Sequence, residues 1–167
     1  VNLAALWRLP VLFCCENNLY AMGTALERSE SQPSLALKAA AYEVPAWTVD
    51  GMDVLAGRRA AARAVDAVRA GGGPHFLELQ TYRFRAHSMY DPERYRDKEE
   101  VARWRQRDPI DALVARLRDD GVLDDDGLAA VEAEVQAEVD EAVAYAEAAP
   151  EEPVAELTRF VHSEGPR

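Results

Sequence analysis

The chain has 167 residues, enough for one domain with a real core, and its formal charge of −11 leaves no basic face for nucleic-acid phosphates. Charged residues at 29 % and apolar residues at 49 % are the proportions of an ordinary folded protein, which sets disorder aside. No apolar run approaches the ~18 residues that suggest a membrane span.

Residues 2–8 (NLAALWR) read as the last turns of a helix stopped by Pro10. A chain that opens on Val in such a helix is expected to be a fragment, or a gene product whose first half lies elsewhere, so a targeting signal is not readable. The run 10–15 (PVLFCC) is short and continuously apolar, the pattern of a strand buried on both faces. It carries the two cysteines, Cys14 and Cys15, expected as buried thiols on opposite faces. No disulfide framework is visible, which suits a reducing compartment. Residues 16–32, rich in Asn, Ser, Gln and Gly, read as loop. Residues 34–42 (SLALKAAAY) read as a short helix with Ser34 as N-cap, and 46–49 (AWTV) as a second strand ended by Asp50-Gly51.

From Asp53, an N-cap by type, Val54, Leu55, Ala61, Ala62, Val65 and Val68 recur at helical spacing until Gly71-Gly72-Gly73-Pro74 stops them. HFLELQTY follows as a third strand. Strands alternating with helices predict an α/β fold with a parallel sheet, and such sheets bind ligands beyond the carboxyl ends of their strands. Two unusual clusters fall there, ENNLYAMG after the first strand and YRFRAHSMYDP after the third. Residues 84–97 lack apolar periodicity and are expected to form a mobile loop. Beyond 97 the pattern is helical, with Ile110, Leu113, Val114 and Leu117 along one stripe. A long acidic helix over 126–148 carries Leu128, Val131, Val135, Val139 and Val143 on one face. The expected division is therefore a binding domain over 1–97, a helical extension over 98–149 and a tail over 150–167.

The two clusters carry the chemistry. Magnesium takes about six hard oxygens, and an amide oxygen from Asn18 with the main-chain oxygen of Tyr20 would give two of them. A lone Asn-Asn pair such as Asn17-Asn18 reads first as an ordinary turn. His87 and Arg83, past a strand end, suit a phosphoryl group, one by donating and the other by its charge. Taken alone, His87 also reads as a satisfied loop histidine, Arg83 and Arg85 as surface charge, Ser88 as a turn cap and Met22 as core filler. Spacing by itself thus reaches an anion and metal site and no further.

The pieces NLAALWRLPVLFCCENNLYAMGT, VDGMDV, GPHFLELQTYRFRAHSMYDP, YRDKEEV and RDPI, in this order, closely resemble the alpha subunit of the thiamine-diphosphate-dependent 2-oxo acid dehydrogenases, pyruvate dehydrogenase type. They leave out residues about 29–45 and the variable end of the long helix. The resemblance implies the C-terminal part of a doubly wound, parallel-sheet thiamine-diphosphate-binding domain followed by a helical extension. It implies Asn18 as a side-chain magnesium ligand and Tyr20 as a main-chain one. Met22 matches the apolar support under the bent cofactor. His87 matches the histidine that reaches the diphosphate and neighbours the active-site channel, giving it a catalytic role. Arg83, Ser88 and Asp91 match a loop that orders with the cofactor. The implied cofactors are thiamine diphosphate and magnesium. The implied partners are a beta subunit, in an alpha2-beta2 heterotetramer, and a lipoyl-bearing acyltransferase component, in bacterial cytoplasm or an organelle matrix.

Departures from the family pattern are as specific. The Gly-Asp-Gly that supplies the charged metal ligand is not in this sequence, and the glutamate that activates the cofactor comes from the beta subunit in this family. Ala25 and Arg94 stand at two of the family's regulatory serine positions and only Ser88 has a counterpart, so the resemblance lends kinase control little support. Met52 in VDGMDV favours a pyruvate enzyme over a branched-chain one, where Asn is expected. An acetoin or branched-chain substrate is the alternative within the family. A non-catalytic subunit-interaction module that has lost the cofactor is the alternative outside it. A helical scaffold built on the acidic helix would leave both clusters unexplained.

Overall fold

A computed structural model describes residues 1–159 and 161. The chain divides into two compact units, Val1–Asp119 and Asp120–Arg167. The division expected after residue 97 lies inside the first unit, which takes in the two helices that follow it.

The first unit is built on three strands, β1 (Leu12–Asn17), with β4 (Ala46–Asp50) and β5 (His75–Gln80) later in the chain. The parallel sheet has the order β1-β5-β4, and all three strands end together: Asn17 and Asp50 both stand opposite Gln80. Helix α1 (Asn2–Leu6) leads into β1. A two-residue hairpin, β2 (Tyr20–Ala21) with β3 (Thr24–Ala25), and a short helix α2 (Leu26–Ser29) follow β1. Helix α3 (Leu35–Ala40) starts where Ser34 accepts from the Leu37 N–H, and α4 (Val54–Arg69) where Asp53 accepts from the Ala56 N–H, both caps as expected from sequence. Helices α5 (Lys98–Arg105) and α6 (Pro109–Asp119) complete the unit.

Period-two alternation sorts the sheet. Leu77 and Leu79 face α4, whose Gly57 lies beside the Leu79 side chain. Glu78 faces α3, whose Ala36 N–H it receives. Leu77 is fully buried at the centre of the middle strand. Gly51 marks the turn from β4 to α4. Its N–H donates to the Gln80 carbonyl at 2.8 Å, and a Cβ there would lie 2.8 Å from that same oxygen. Only glycine lets the two strand ends come this close.

Four expectations are corrected. The first strand runs over 12–17 rather than 10–15, because pairing with β5 carries it through Glu16 and Asn17. It is not buried on both faces: Cys14 is exposed and Cys15 half-buried, because β1 has a neighbour on one side only and α4 lies mainly over β4 and β5. Residues 16–32 contain the hairpin and α2 rather than loop alone. On α6, Leu113, Val114 and Leu117 are half-buried, while Ile110 is 71 % exposed and falls outside the stripe.

In the second unit, α7 (Asp125–Ala148) begins at Asp124, which accepts from the Gly127 N–H. A short 3-10 turn over Val154–Glu156 follows. The valines of α7 share a face and are each about half exposed, so the helix does not bury that face within this unit.

Candidate functional site

Both sequence clusters leave the carboxyl edge of the sheet, one from Asn17 and one from Gln80. The Asn-Asn pair is split between two tasks. Asn17 turns inward: its Nδ2 donates to Glu78 Oε1 at 2.7 Å, and its Oδ1 accepts from the Leu19 N–H at 3.1 Å. That leaves Asn18 to face outward. The backbone pays for the turn with two non-glycine residues in the left-handed region, Leu19 at φ 70° and Met22 at φ 52°. Met22 stands at the hairpin tip with its side chain 67 % exposed, which overturns a core-filling role for it.

Five of the six predicted binding residues, Asn18, Tyr20, Met22, Arg83 and His87, line one cavity of about 70 Å³; Ser88 does not. Arg85, Tyr95 and Arg96 close its wall. Ser88 is exposed on the loop, where its carbonyl accepts from the Asp91 N–H. Small-molecule pockets typically measure about 300–1,000 Å³, so this cavity is too small to enclose such a ligand by itself. A larger cavity of about 460 Å³ lies near the amino ends of the strands, beside Gly72, Gly73 and Pro74, away from these groups.

The loop from Tyr82 to Arg96 holds itself by hydrogen bonds. Arg83 donates through Nε to the Arg85 carbonyl at 3.1 Å and through its terminal nitrogen to the Ala86 and His87 carbonyls at 2.9 and 3.2 Å. Arg96 donates to the Arg83 and Phe84 carbonyls at 2.6 and 3.1 Å and pairs with Glu93. Asp91 accepts from the Glu93 N–H at 2.9 Å, the Tyr95 phenol at 2.8 Å and the His87 N–H at 3.1 Å, which together hold its carboxyl below the usual range. The tip, Met89 and Tyr90, is 92 % and 90 % exposed.

Behind the β2-β3 hairpin lies an aromatic cluster that sequence reasoning missed. Tyr20 meets Tyr82 edge-on at 6.4 Å and Tyr95 at 5.5 Å, and Trp104 stacks flat on Tyr82 at 5.1 Å. Glu100 on α5 accepts from both the Tyr20 and Tyr82 phenols at 3.0 Å. Burial, then the hydrogen bond to Glu100, pushes the Tyr20 phenol from its ordinary 10.0 up to about 12. The fold therefore favours the neutral phenol. Its contribution to stability is full below pH 10 and is lost as pH rises through about 12. The thermal midpoint is expected to fall across that window, and less so in Tyr20→Phe; equal slopes for the two proteins would refute the assignment. The same reading missed Glu78, the buried carboxylate under Asn17, because a lone Glu in HFLELQ carries no motif signal.

Fold and site together define a parallel α/β protein with neutral oxygen donors and arginines gathered at the carboxyl edge of its sheet. The family model of the dehydrogenase E1 component matches residues 1–155, and the chain belongs to that family. It is 45 % identical over 157 residues to the pyruvate dehydrogenase E1 component subunit alpha of Rhizobium meliloti, covering 93 % of this chain and 45 % of that one. Against the Zymomonas mobilis subunit of the same name the identity is 48 % over 150 residues, covering 89 % and 42 %. Against the testis-specific mitochondrial form of Homo sapiens it is 43 % over 164 residues, covering 97 % and 42 %. The chain thus spans under half the length of these relatives. Relatives come from bacteria, mitochondria and chloroplasts, and no helix among the described residues is long and apolar enough to cross a membrane.

Proposed function

We propose that the chain supplies the C-terminal part of the alpha subunit of a pyruvate dehydrogenase E1 component, acting with thiamine diphosphate and magnesium. The observation that carries this reading is the single cavity joining Asn18, Tyr20 and Met22 of the first cluster to Arg83 and His87 of the second. The donor set fits one side of a magnesium-diphosphate group. It offers neutral oxygens and cationic side chains, and no group of three His, Cys, Asp or Glu among the described residues would bind a metal unaided. The cavity's small volume fits a clamp completed by other parts of the enzyme. The finer reading of the fold, a doubly wound thiamine-diphosphate-binding domain, rests on α3 and α4 packing on opposite faces of the parallel sheet.

In this reading Asn18 offers its amide oxygen and Tyr20 its main-chain oxygen to magnesium. Met22, apolar and exposed at the hairpin tip, supports the cofactor from beneath. His87 donates from its imidazole to a phosphoryl oxygen and stands beside the channel. Arg83 places positive charge against the diphosphate once it lets go of the loop carbonyls, and Ser88 follows on the same loop. When bound, thiamine diphosphate supplies the electron sink for loss of carbon dioxide from a 2-oxo acid. The partners are a beta subunit, in an alpha2-beta2 assembly, and a lipoyl-bearing acyltransferase component.

The test is to express the complete reading frame with its partner subunit and assay decarboxylation of several 2-oxo acids. Pyruvate is expected to be preferred; preference for a branched-chain acid would move the protein within the family, and no activity with any would overturn the reading. Two further outcomes follow. The loop over 84–97 has few buried side chains, so its amides are expected to exchange fast without cofactor and slowly with it. Equal protection in both states would count against a loop that orders on binding. The 167-residue chain alone, holding part of the clamp, is expected to show no micromolar binding of thiamine diphosphate by titration calorimetry.

A further inference from the structure

The metal-facing hairpin and the arginine-histidine loop meet at one carboxylate. Glu100 receives the phenols of Tyr20 and Tyr82 at the same distance, 3.0 Å. Tyr20 is the residue whose main-chain oxygen faces the metal in the reading above. Tyr82, buried at 6 % exposure, is the residue immediately before Arg83. Trp104, one helical turn beyond Glu100, lies flat on the Tyr82 ring with an interplanar angle of 8°. One face of α5 thus grips the root of the second loop and the side chain of the first.

The contacts continue to the main chain of His87. Tyr20 packs on Tyr95, the Tyr95 phenol donates to Asp91, and Asp91 receives the His87 N–H. Arg96 lies over both Tyr82 and Tyr95 and donates to the Arg83 carbonyl. This is a continuous chain of hydrogen bonds and ring contacts from α5 through the hairpin to His87. A shared anchor of this kind couples two elements, because fixing one lowers the entropy left to lose on fixing the other.

We propose that Glu100 is a positioning residue that couples the ordering of the Tyr20 hairpin to the ordering of the 84–97 loop, so that metal binding at one fixes the other. The proposal rests on the function proposed above. Glu100 touches neither cofactor nor substrate and acts through Tyr20 and Tyr82. By linkage, the coupling that helps magnesium order the loop also lets the ordered loop tighten magnesium.

The experiment uses the complete subunit with its partner. Thiamine diphosphate binding is followed by calorimetry at a series of magnesium concentrations, and amide exchange over 84–97 is measured with and without both. Glu100→Ala is expected to raise the magnesium needed for half-saturation about tenfold and to abolish the slowing of exchange in the loop. Glu100→Gln, which keeps one acceptor oxygen, is expected to fall between, and Glu99→Ala, its exposed neighbour, to match the wild type in both readouts. An unchanged magnesium requirement and unchanged loop protection in Glu100→Ala, with only a lowered thermal midpoint, would show a purely structural role and overturn the proposal. Should Glu100→Ala fail to fold, Tyr20→Phe and Tyr82→Phe decide. Each removes a hydroxyl that donates to Glu100 and keeps the ring, and weaker coupling supports the proposal while unchanged coupling overturns it. Wild-type enzyme that takes up no thiamine diphosphate would overturn the function itself; wild-type uptake matched by Glu100→Ala overturns this inference alone.

Discussion

Glu78→Ala is expected to destabilise the first unit by about 3 kcal/mol, among the largest effects of any single substitution outside the apolar core. The carboxylate is 1 % exposed on the middle strand. It receives Asn17 Nδ2 at 2.7 Å, the Ala36 N–H at 3.0 Å and the Thr48 hydroxyl at 3.0 Å, from β1, α3 and β4. Removing it leaves three donors, and a buried donor left unmade costs about 1–3 kcal/mol. The Thr48 residue is exposed enough for water to replace its bond, and the Ala36 N–H sits in a first helical turn, so the sum stays near the lower end. Glu78→Gln keeps the shape but turns an N–H toward one of the donors, and is expected to cost about half as much. Urea unfolding of the complete subunit measures both. Equal stability of the alanine variant and the wild type would mean that these donors find water as easily as they find Glu78. The functional consequence follows from geometry: freeing Asn17 also frees the turn that presents Asn18.

Asn18→Ala is expected to do the opposite, leaving stability nearly unchanged while raising the magnesium requirement of the assembled enzyme on the order of tenfold or more. Asn18 is half-buried at a strand tip, its side chain makes no hydrogen bond to another element among the described residues, and its loss opens no core cavity. Magnesium tolerates poor coordination badly, so one missing oxygen of about six is felt in affinity. His87→Ala is expected to lower cofactor affinity and turnover together. Magnesium titration of cofactor binding, with a thermal melt beside it, separates the cases. A variant with wild-type magnesium dependence would show Asn18 to be an ordinary turn residue.

The contrast between Asn17 and Asn18 shows where reading the sequence reaches its limit. Neighbours in a strand point to opposite faces, so two adjacent amides at a strand end must divide their roles. Which one turns inward depends on Glu78, 61 positions later in the chain, whose identity as a partner comes only from the parallel register. In the same way Glu100 stands in an amphipathic helix among other acidic residues. Nothing local separates it from Glu99, which is exposed, while Glu100 meets two phenols 80 and 18 positions away.

What the sequence by itself determined is local or periodic. Ser34 and Asp53 are capping types placed before helical periodicity, and both cap. The alternation of apolar runs with those helices dictates parallel strands, because a crossover helix returns the chain to the same edge. That in turn puts ENNLYAMG and YRFRAHSMYDP at one edge before any coordinate is known, and the motifs carry the family. Tertiary structure alone decided the rest. Strand register chose Asn17 for Glu78, and edge position left Cys14 exposed where a continuous apolar run implied burial. Side-chain contacts of α5 set Glu100 between Tyr20 and Tyr82. These are non-local contacts. Their energies depend on which side chains the fold brings within a few ångströms, and no spacing along the chain encodes that.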